Sequence, residues 1–153
     1  MEGAAARLPL KAMSPPTQLV VFTLDDRRYG LRLAAVERIV RMVDITPLPH
    51  APEIVSGVVN VQGRVVPVVN VRRRFRLPER EAALSDQLII ARTIRRSVAL
   101  VADSVTGVLE YLEAETVPAD AIAPGLEYVA GVVKLSDGMV LIHDLDRFLS
   151  LDE

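Results

Sequence analysis

Cysteine is absent from this chain of 153 residues, which excludes disulfide bonds, thiolate metal ligands and cysteine nucleophiles. Tryptophan is also absent, and aromatic residues make up only 4% of the sequence. Aromatic stacking platforms of the kind that bind single-stranded nucleic acid are therefore scarce. The formal net charge of −2 provides no general attraction to nucleic acid or to an anionic membrane surface.

Long uninterrupted hydrophobic runs are missing as well. The most apolar stretch, residues 55–71, contains two asparagines, a glutamine, an arginine and a proline, so it does not read as a membrane span. The first 17 residues are broken by Arg7, Pro9 and Lys11, which predicts a flexible tail over residues 1–17 and not a signal peptide. We therefore expect a soluble, cytoplasmic protein without direct membrane insertion.

Catalytic motifs are also lacking. The chain has two histidines; His50 is predicted to be a solvated loop residue, with a general base as the alternative. His143 lies in an apolar run and is predicted to be structural, with a metal ligand as the alternative. The sequence has no zinc-site, phosphate-loop, dinucleotide-binding or nucleophile-elbow spacing. It therefore predicts no enzyme, no cofactor and no metal site.

What the chain does contain is an internal repeat. Residues 18–40 align with residues 87–109 at an offset of 69, and residues 57–75 align with residues 131–149 at an offset of 74. The change of offset places an insertion of five residues in the second copy, between positions 109 and 131. A tandem repeat predicts two packed modules with a seam, and seams between modules often bind ligands.

Each copy has the pattern of short strands. Valine supplies 23 residues, and β-branched side chains favour strands. The pattern predicts a hairpin with a charged turn at 25–28 and a second hairpin that turns at Gln62-Gly63. Short strands separated by glycine and proline turns are typical of small barrels. Residues 34–41 fit either one helical turn or a further strand.

Several finer expectations concern the segments around these hairpins. The run 65–71 is apolar on both faces, which predicts burial on both sides. Pro67 lacks an N–H, which predicts an edge strand or a bulge there. Residues 45–54 are predicted to form an extended loop, residues 72–85 a short helix or linker, and residues 144–151 a closing helix.

Arginine clusters at residues 72–76 and 92–96 raise one alternative function, a barrel that binds RNA. The aromatic residues form no alternating stripe beside them, and 20 acidic residues dilute the positive charge. The clusters are therefore predicted to be a solvated turn and linker, and no nucleic-acid partner is expected.

Beyond composition, three segments resemble a known family. The opening QLVVFTLDDRRYGLRLAAVERIV with its proline loop, and then GVVNVQGRVVPVVNVRRRF, are similar to the CheW family of chemotaxis coupling proteins. The later GVVKLSDGMVLIHDLDRFL is similar to that family's closing strand and helix. The resemblance spans residues 18–151. It implies a mainly all-β fold of two interlocked, five-stranded SH3-like barrels, at about 18–80 and 87–149, with short helices at the linker and the C-terminus.

The resemblance also implies a function. Such a protein is a non-enzymatic adaptor that couples the cytoplasmic hairpin tip of a chemoreceptor to the regulatory domain of a CheA-type histidine kinase. It works in cytoplasmic arrays recruited to the membrane, with weak self-association in rings, and serves chemotaxis or another output such as pili. No residue is assigned to kinase binding. The positions that match the family's receptor groove are Val36, Ile39, Gly57, Val58, Asn60, Gln62, Val105 and Val108.

Three positions depart from the family pattern. Gln62 stands where the family usually has arginine, Arg38 where it often has an acidic residue, and Asn70 where it usually has aspartate. The first two changes together suggest the loss of a local charge pair. The departures leave the expected fold unchanged and bear on which receptor and kinase the protein serves.

Overall fold

The computed structural model describes residues 16–123 and 128–150, and the side chains up to residue 147 within these ranges. The predicted tail at 1–17 therefore lies almost entirely outside the described residues. The described chain is built from eleven strands and three short α-helices. The strands are β1 (Thr17–Leu24), β2 (Arg27–Arg32), β3 (Val36–Arg41), β4 (Val55–Val61), β5 (Arg64–Val69), β6 (Gln87–Arg92), β7 (Ser97–Ala102), β8 (Ser104–Tyr111), β9 (Thr116–Pro118), β10 (Val129–Leu135) and β11 (Gly138–His143). The helices are α1 (Val71–Arg74), α2 (Ala119–Ile122) and α3 (Leu145–Ser150).

The two sheets exchange strands between the copies of the repeat. The six-stranded sheet has the order β8-β1-β2-β11-β10-β9, and the five-stranded sheet has the order β3-β6-β7-β5-β4. The first two strands of each copy thus share a sheet with the remaining strands of the other copy: β1 and β2 with β8–β11, and β6 and β7 with β3–β5. The pairing confirms the mainly-β, interlocked fold, while the sheets do not follow the predicted boundaries at 18–80 and 87–149. The sixth strand, β9, lies in the stretch that carries the insertion.

The turns and helices largely follow the sequence pattern. Asp25 and Asp26 form the predicted charged turn, both with positive φ angles, and Gln62 and Gly63 form the second turn. The ambiguous segment 34–41 is mainly strand, because β3 follows a 3₁₀ turn at Leu33–Ala35. Helices α1 and α3 lie in the two segments predicted to be helical.

Pro67 occupies a different environment from the one predicted. Its strand β5 lies inside the sheet between β7 and β4, and the bulge of the β4–β5 ladder falls between Val55 and Gly57. The prediction of an edge or a bulge was therefore wrong. The parallel ladder to β7 begins only at Val68, so the missing N–H of Pro67 falls just before the ladder starts. Val65 is 66% exposed, so burial on both faces was also wrong at that residue.

A shared hydrophobic core joins the two sheets. The central cluster includes Phe22 and Tyr29 from the six-stranded sheet and Ile89 and Leu100 from the five-stranded sheet. Each sheet also has its own smaller cluster. Because the central cluster draws on both sheets, neither half of the chain buries its core without the other.

Ion pairs fasten the linker between the two copies onto this core. Arg72 is 9% exposed and pairs with Asp103 at 2.8 Å and with Asp25 at 2.9 Å. Arg80 of the linker pairs with the buried Asp86 at 2.8 Å and also contacts Asp103. The network holds α1, the β1–β2 turn and the linker in one arrangement.

Candidate functional site

Strand β3 forms one edge of the five-stranded sheet, and β8 forms one edge of the six-stranded sheet. Both strands have a bulge at equivalent positions of the repeat. In β3 the ladder to β6 skips Glu37, between Val36 and Arg38. In β8 the ladder to β1 skips Thr106, between Val105 and Gly107. The skipped residues are related by the repeat offset of 69. A bulge twists an edge strand and redirects its side chains, so both edges are shaped alike.

These two edges hold the apolar members of the predicted groove. Val36 and Val105 are partly buried, and both pack against the central core cluster. Ile39 lies opposite the core residue Ile89 in the ladder and is 38% exposed. Val108 is 56% exposed. We call Val36, Ile39, Val105 and Val108 the paired-edge face, an apolar surface contributed by equivalent positions of both copies.

A side-chain hydrogen bond ties the edge strand β8 to the five-stranded sheet. The backbone N–H of Val105 in β8 donates to Oε1 of Gln87 at 2.8 Å. Gln87 lies opposite Arg41 in the β3–β6 ladder. Gln87 therefore connects the edge strand β8 of one sheet to β6, the neighbour of the edge strand β3, in the other sheet, and no sequence motif had indicated it.

Gly57 and Val58 support the groove region from the side of the proline loop. Val58 exchanges two backbone hydrogen bonds of 2.9 Å with Thr46. Gly57 is buried, and a Cβ at this position would lie 2.4 Å from the carbonyl oxygen of Thr46. Glycine is needed here because a second backbone approaches too closely for any side chain. Thr46, which no motif had indicated, is the partner that explains it.

Asn60 and Gln62 belong to a separate place, the β4–β5 turn. Oδ1 of Asn60 accepts a hydrogen bond from the backbone N–H of Gly63 at 2.8 Å. Gln62 has a φ of 52° and accepts a hydrogen bond from the guanidinium of Arg38. The two departures from the family pattern thus touch each other. The expected loss of a charge pair is accompanied by a hydrogen bond between the replacing residues.

Beside this turn, a cleft of about 360 Å³ opens between β3 and the β4–β5 hairpin. We call it the hairpin cleft; it is lined by Glu37, Arg38, Val61, Gln62, Arg64, Val66 and Ile90. Val66 and Ile90 belong to the separate core of the five-stranded sheet. Arg38 pairs with Ile90, whereas the neighbouring Ile39 pairs with Ile89 of the central core. Because neighbouring side chains of a strand point to opposite faces, the cleft and the paired-edge face lie on opposite sides of β3.

Electrostatics at the hairpin cleft centre on Glu37. Its carboxylate accepts a hydrogen bond from Oγ of Ser97 at 2.8 Å and one from Arg64 at 3.0 Å. These two contacts, the Ser97 hydrogen bond first, lower the pKa of Glu37. Sequence reasoning missed this triad because its members lie far apart in the chain.

The residues considered for catalysis and nucleic-acid binding are otherwise engaged. His143 is buried and its ring lies 5.0 Å from that of Phe75, and burial lowers the pKa of His143 to about 3. His50 is exposed, in a turn. The arginine cluster at 72–76 is drawn into intramolecular contacts: besides the buried Arg72, Arg74 donates to the Tyr128 hydroxyl at 2.8 Å.

Over residues 16–123 and 128–150, no cluster of three or more histidine or acidic side chains is arranged to hold a metal ion. Within the same part of the chain, no helix has both the length and the apolar character needed to cross a membrane.

The chain thus combines two sheets that exchange strands with an exposed apolar side chain on one edge strand of each. Comparison with known proteins identifies this architecture: the family model of the CheW-like domain matches residues 18–153. The chain is 29% identical to the chemotaxis protein CheW of Rhizobium meliloti (strain 1021), with 89% of each chain covered. It is also 29% identical to the protein FrzA of Myxococcus xanthus, with 86% of this chain and 83% of FrzA covered.

A solved structure supports the same conclusion. The crystal structure of the scaffolding protein TtCheW from Thermoanaerobacter tengcongensis superposes with a TM-score of 0.76 at 29% identity, covering 84% of this chain and 89% of that one. The chain belongs to the CheW-like domain family. It is a scaffold and adaptor protein of the chemotaxis type and not an enzyme.

Proposed function

We propose that this adaptor couples the cytoplasmic hairpin tip of a chemoreceptor to the regulatory domain of a CheA-type histidine kinase, in arrays at the cytoplasmic side of the membrane. A helix of the receptor tip lies against the paired-edge face. The observation that carries this proposal is the matched exposure of Ile39 and Val108 on bulged edge strands of the two sheets.

The paired-edge face suits an amphipathic helix for a physical reason. Val36 of one edge strand and Val105 of the other pack on the same core cluster, which fixes both edge strands relative to a common core. A helix presents apolar side chains at i, i+3 and i+4, and it binds by burying them in such a surface. Exposed apolar patches on otherwise charged proteins commonly mark interaction sites.

The test is an aspartate substitution at each edge. We expect Ile39→Asp and Val108→Asp each to weaken binding of a purified receptor signalling fragment roughly a hundredfold, because each would bury an unpaired carboxylate. Both residues are exposed, so the fold should survive, as circular dichroism would verify. These positions are sharper tests than Gly57→Asp, because Gly57 is buried against the Thr46 backbone.

Ile122→Asp is the matched control, because Ile122 is 47% exposed and lies on α2 beside β9, at the opposite edge of the six-stranded sheet from β8. It should bind the receptor fragment like the wild type. Normal binding by both edge variants would refute the groove assignment. Kinase autophosphorylation in the reconstituted ternary mixture then tests the coupling itself: a mixture with no ternary complex and unchanged kinase activity would contradict the adaptor proposal.

The proposal also concerns which cellular response the signalling pathway controls. We propose flagellar chemotaxis, with a non-flagellar chemosensory output such as pili as the alternative. Deletion of the gene would be followed by swimming and twitching assays in parallel. Loss of directed swimming alone supports the first output, and loss of pilus-driven movement alone supports the second.

A further inference from the structure

The hairpin cleft has an excess of positive charge. Three guanidinium groups act on it: Arg38 and Arg64 line it, and Arg92 lies close enough to lower the pKa of Glu37 by its charge. Glu37 is the one carboxylate in the lining. The guanidinium groups at the cleft therefore carry more N–H donors than the carboxylate of Glu37 accepts.

The hydrogen bonds show which guanidinium is available. Arg64 is committed to the Glu37 carboxylate and also donates to Ser97. Arg38 donates to the neutral amide oxygen of Gln62, and the described residues include no ion pair of Arg38. A guanidinium carries five N–H donors and binds carboxylates in a bidentate manner. Arg38 thus retains both its full charge and donors for a partner.

The equivalent positions of the second copy carry no cation of their own, and the guanidinium of Arg28, which lies against Gly138, is paired with Asp137 at 3.3 Å. The positions related to Glu37 and Arg38 by the offset of 69 are Thr106 and Gly107. The positions related to Gln62 and Arg64 by the offset of 74 are Ser136 and Gly138. The positive cleft is therefore a property of the first copy's hairpin and not a by-product of the duplicated fold.

We propose that the hairpin cleft receives an aspartate or glutamate side chain of the receptor tip, bound by Arg38, and that Arg38 thereby selects receptors with an acid at the facing position. This inference rests on the proposed function, because β3 carries the paired-edge face on one side and the cleft on the other. In this arrangement the receptor helix crosses the β3 edge, so that a side chain flanking its apolar stripe reaches Arg38 on the other side of the strand. A protein carboxylate fits better than nucleic acid, because the described lining has no aromatic side chain for stacking.

Charge reversal in the full chain tests the proposal. Binding of a purified receptor signalling-tip fragment would be measured for the wild type, Arg38→Glu and Arg38→Gln at low and high salt. We expect Arg38→Glu to lose on the order of tenfold in affinity at low salt, since like charges would then face each other. Arg38→Gln should lose less, and the difference between all three should shrink at high salt because screening weakens exposed charge pairs.

Two further variants separate charge from structure. Arg76→Glu makes the same change in net charge on the exposed linker and should bind like the wild type. Arg38→Lys keeps the charge but loses the planar pair of donors, so its affinity should lie between those of the wild type and Arg38→Gln if the charge selects the partner. A loss equal to that of Arg38→Glu would instead assign Arg38 a merely structural role.

A charge swap on the receptor completes the test. Single acid-to-lysine variants of the receptor tip would be paired with the wild type and with Arg38→Glu, and one of them should restore binding to Arg38→Glu while weakening the wild type. If wild type and Arg38→Glu bind equally at low salt while Ile39→Asp does not bind, this inference is wrong and the proposed groove stands. If the wild type itself does not bind the fragment, the proposed function fails first.

Discussion

The two copies of the repeat agree in backbone detail and differ in the side chains placed on it. Besides the bulges at Glu37 and Thr106, the ladders skip Ser56 in the first copy and Ala130 in the second, which are equivalent at the offset of 74. Bulges that survive in both copies are features of the architecture. Duplication has thus preserved the frame of each barrel, while the surface chemistry has diverged.

Pro67 illustrates how one substitution alters an otherwise equivalent strand. Its counterpart in the second copy, Leu141, pairs with Tyr29 in the parallel ladder between β11 and β2. In the first copy, the ladder between β5 and β7 begins at Val68. The difference follows from the proline, which has no N–H to donate. The second copy therefore has a ladder pair at the position where the first copy has Pro67.

The largest expected effect lies at the glycines that follow the two equivalent bulges. A Cβ at Gly57 would meet the Thr46 carbonyl oxygen at 2.4 Å, whereas a Cβ at Gly131 would meet the Val117 carbonyl oxygen at 2.8 Å. Forcing atoms into packed backbone costs about 1–3 kcal/mol. We expect Gly57→Ala to lower the free energy of unfolding by roughly 3 kcal/mol and Gly131→Ala by roughly 1–2 kcal/mol. Urea unfolding would measure both.

The informative result is which of the two glycine substitutions lowers the free energy of unfolding more. Thr46 is held by two backbone hydrogen bonds to Val58, so it has little freedom to move away from a new methyl group. If Gly131→Ala destabilises the protein more than Gly57→Ala, the proline loop is softer than its contacts indicate. The view that this loop rigidly supports the groove would then be incorrect.

Much of this frame could be predicted from the sequence, and the reason is local. The repeat offsets, the turn at Asp25-Asp26 and the turn at Gln62-Gly63 all depend on neighbouring residues, and they match the structure. Local patterns did not predict the strand exchange, which was expected only from the family resemblance, because β1 pairs with β8 across most of the chain. The hairpin cleft was missed for the same reason: Glu37 and Ser97 meet only after the sheets form.

His143 makes a difference between the two copies testable through the pH dependence of the protein's stability. Its counterpart in the first copy is Val69, and both pair with equivalent valines, Val129 and Val55. Burial holds the pKa of His143 at about 3, while an unfolded histidine has a pKa near 6.5. Below about pH 6.5 the imidazole of His143 therefore binds a proton in the unfolded chain but stays neutral in the folded chain. The free energy of unfolding falls as the pH is lowered.

The expected size follows from that shift. Between pH 7 and pH 5 this histidine should remove about 2 kcal/mol from the free energy of unfolding. His143→Val makes the second copy resemble the first and should remove that part of the pH dependence, as urea unfolding at the two pH values would reveal. His50→Ala is the control, because His50 is exposed. An unchanged pH slope in His143→Val would mean that the buried imidazole titrates normally.

The smallest expected effect concerns the equivalent turns. Gln62 has a φ of 52°, a left-handed conformation that asparagine tolerates better than glutamine does. Ser136, its counterpart at the offset of 74, is not among the residues with positive φ in the described part of the chain. We expect Gln62→Asn to raise the free energy of unfolding by about 0.5 kcal/mol through relief of strain, less whatever the lost hydrogen bond from Arg38 contributes. Ser136→Asn should change it by less than about 0.3 kcal/mol, because no left-handed strain is present there to relieve.

Thermal and urea unfolding of both variants, measured with the double variant Arg38→Gln/Gln62→Asn, would separate the two contributions. If Gln62→Asn destabilises the protein unless Arg38 is also replaced, the Arg38–Gln62 hydrogen bond outweighs the backbone strain, and the first copy's turn is held by its side chains more than by its backbone.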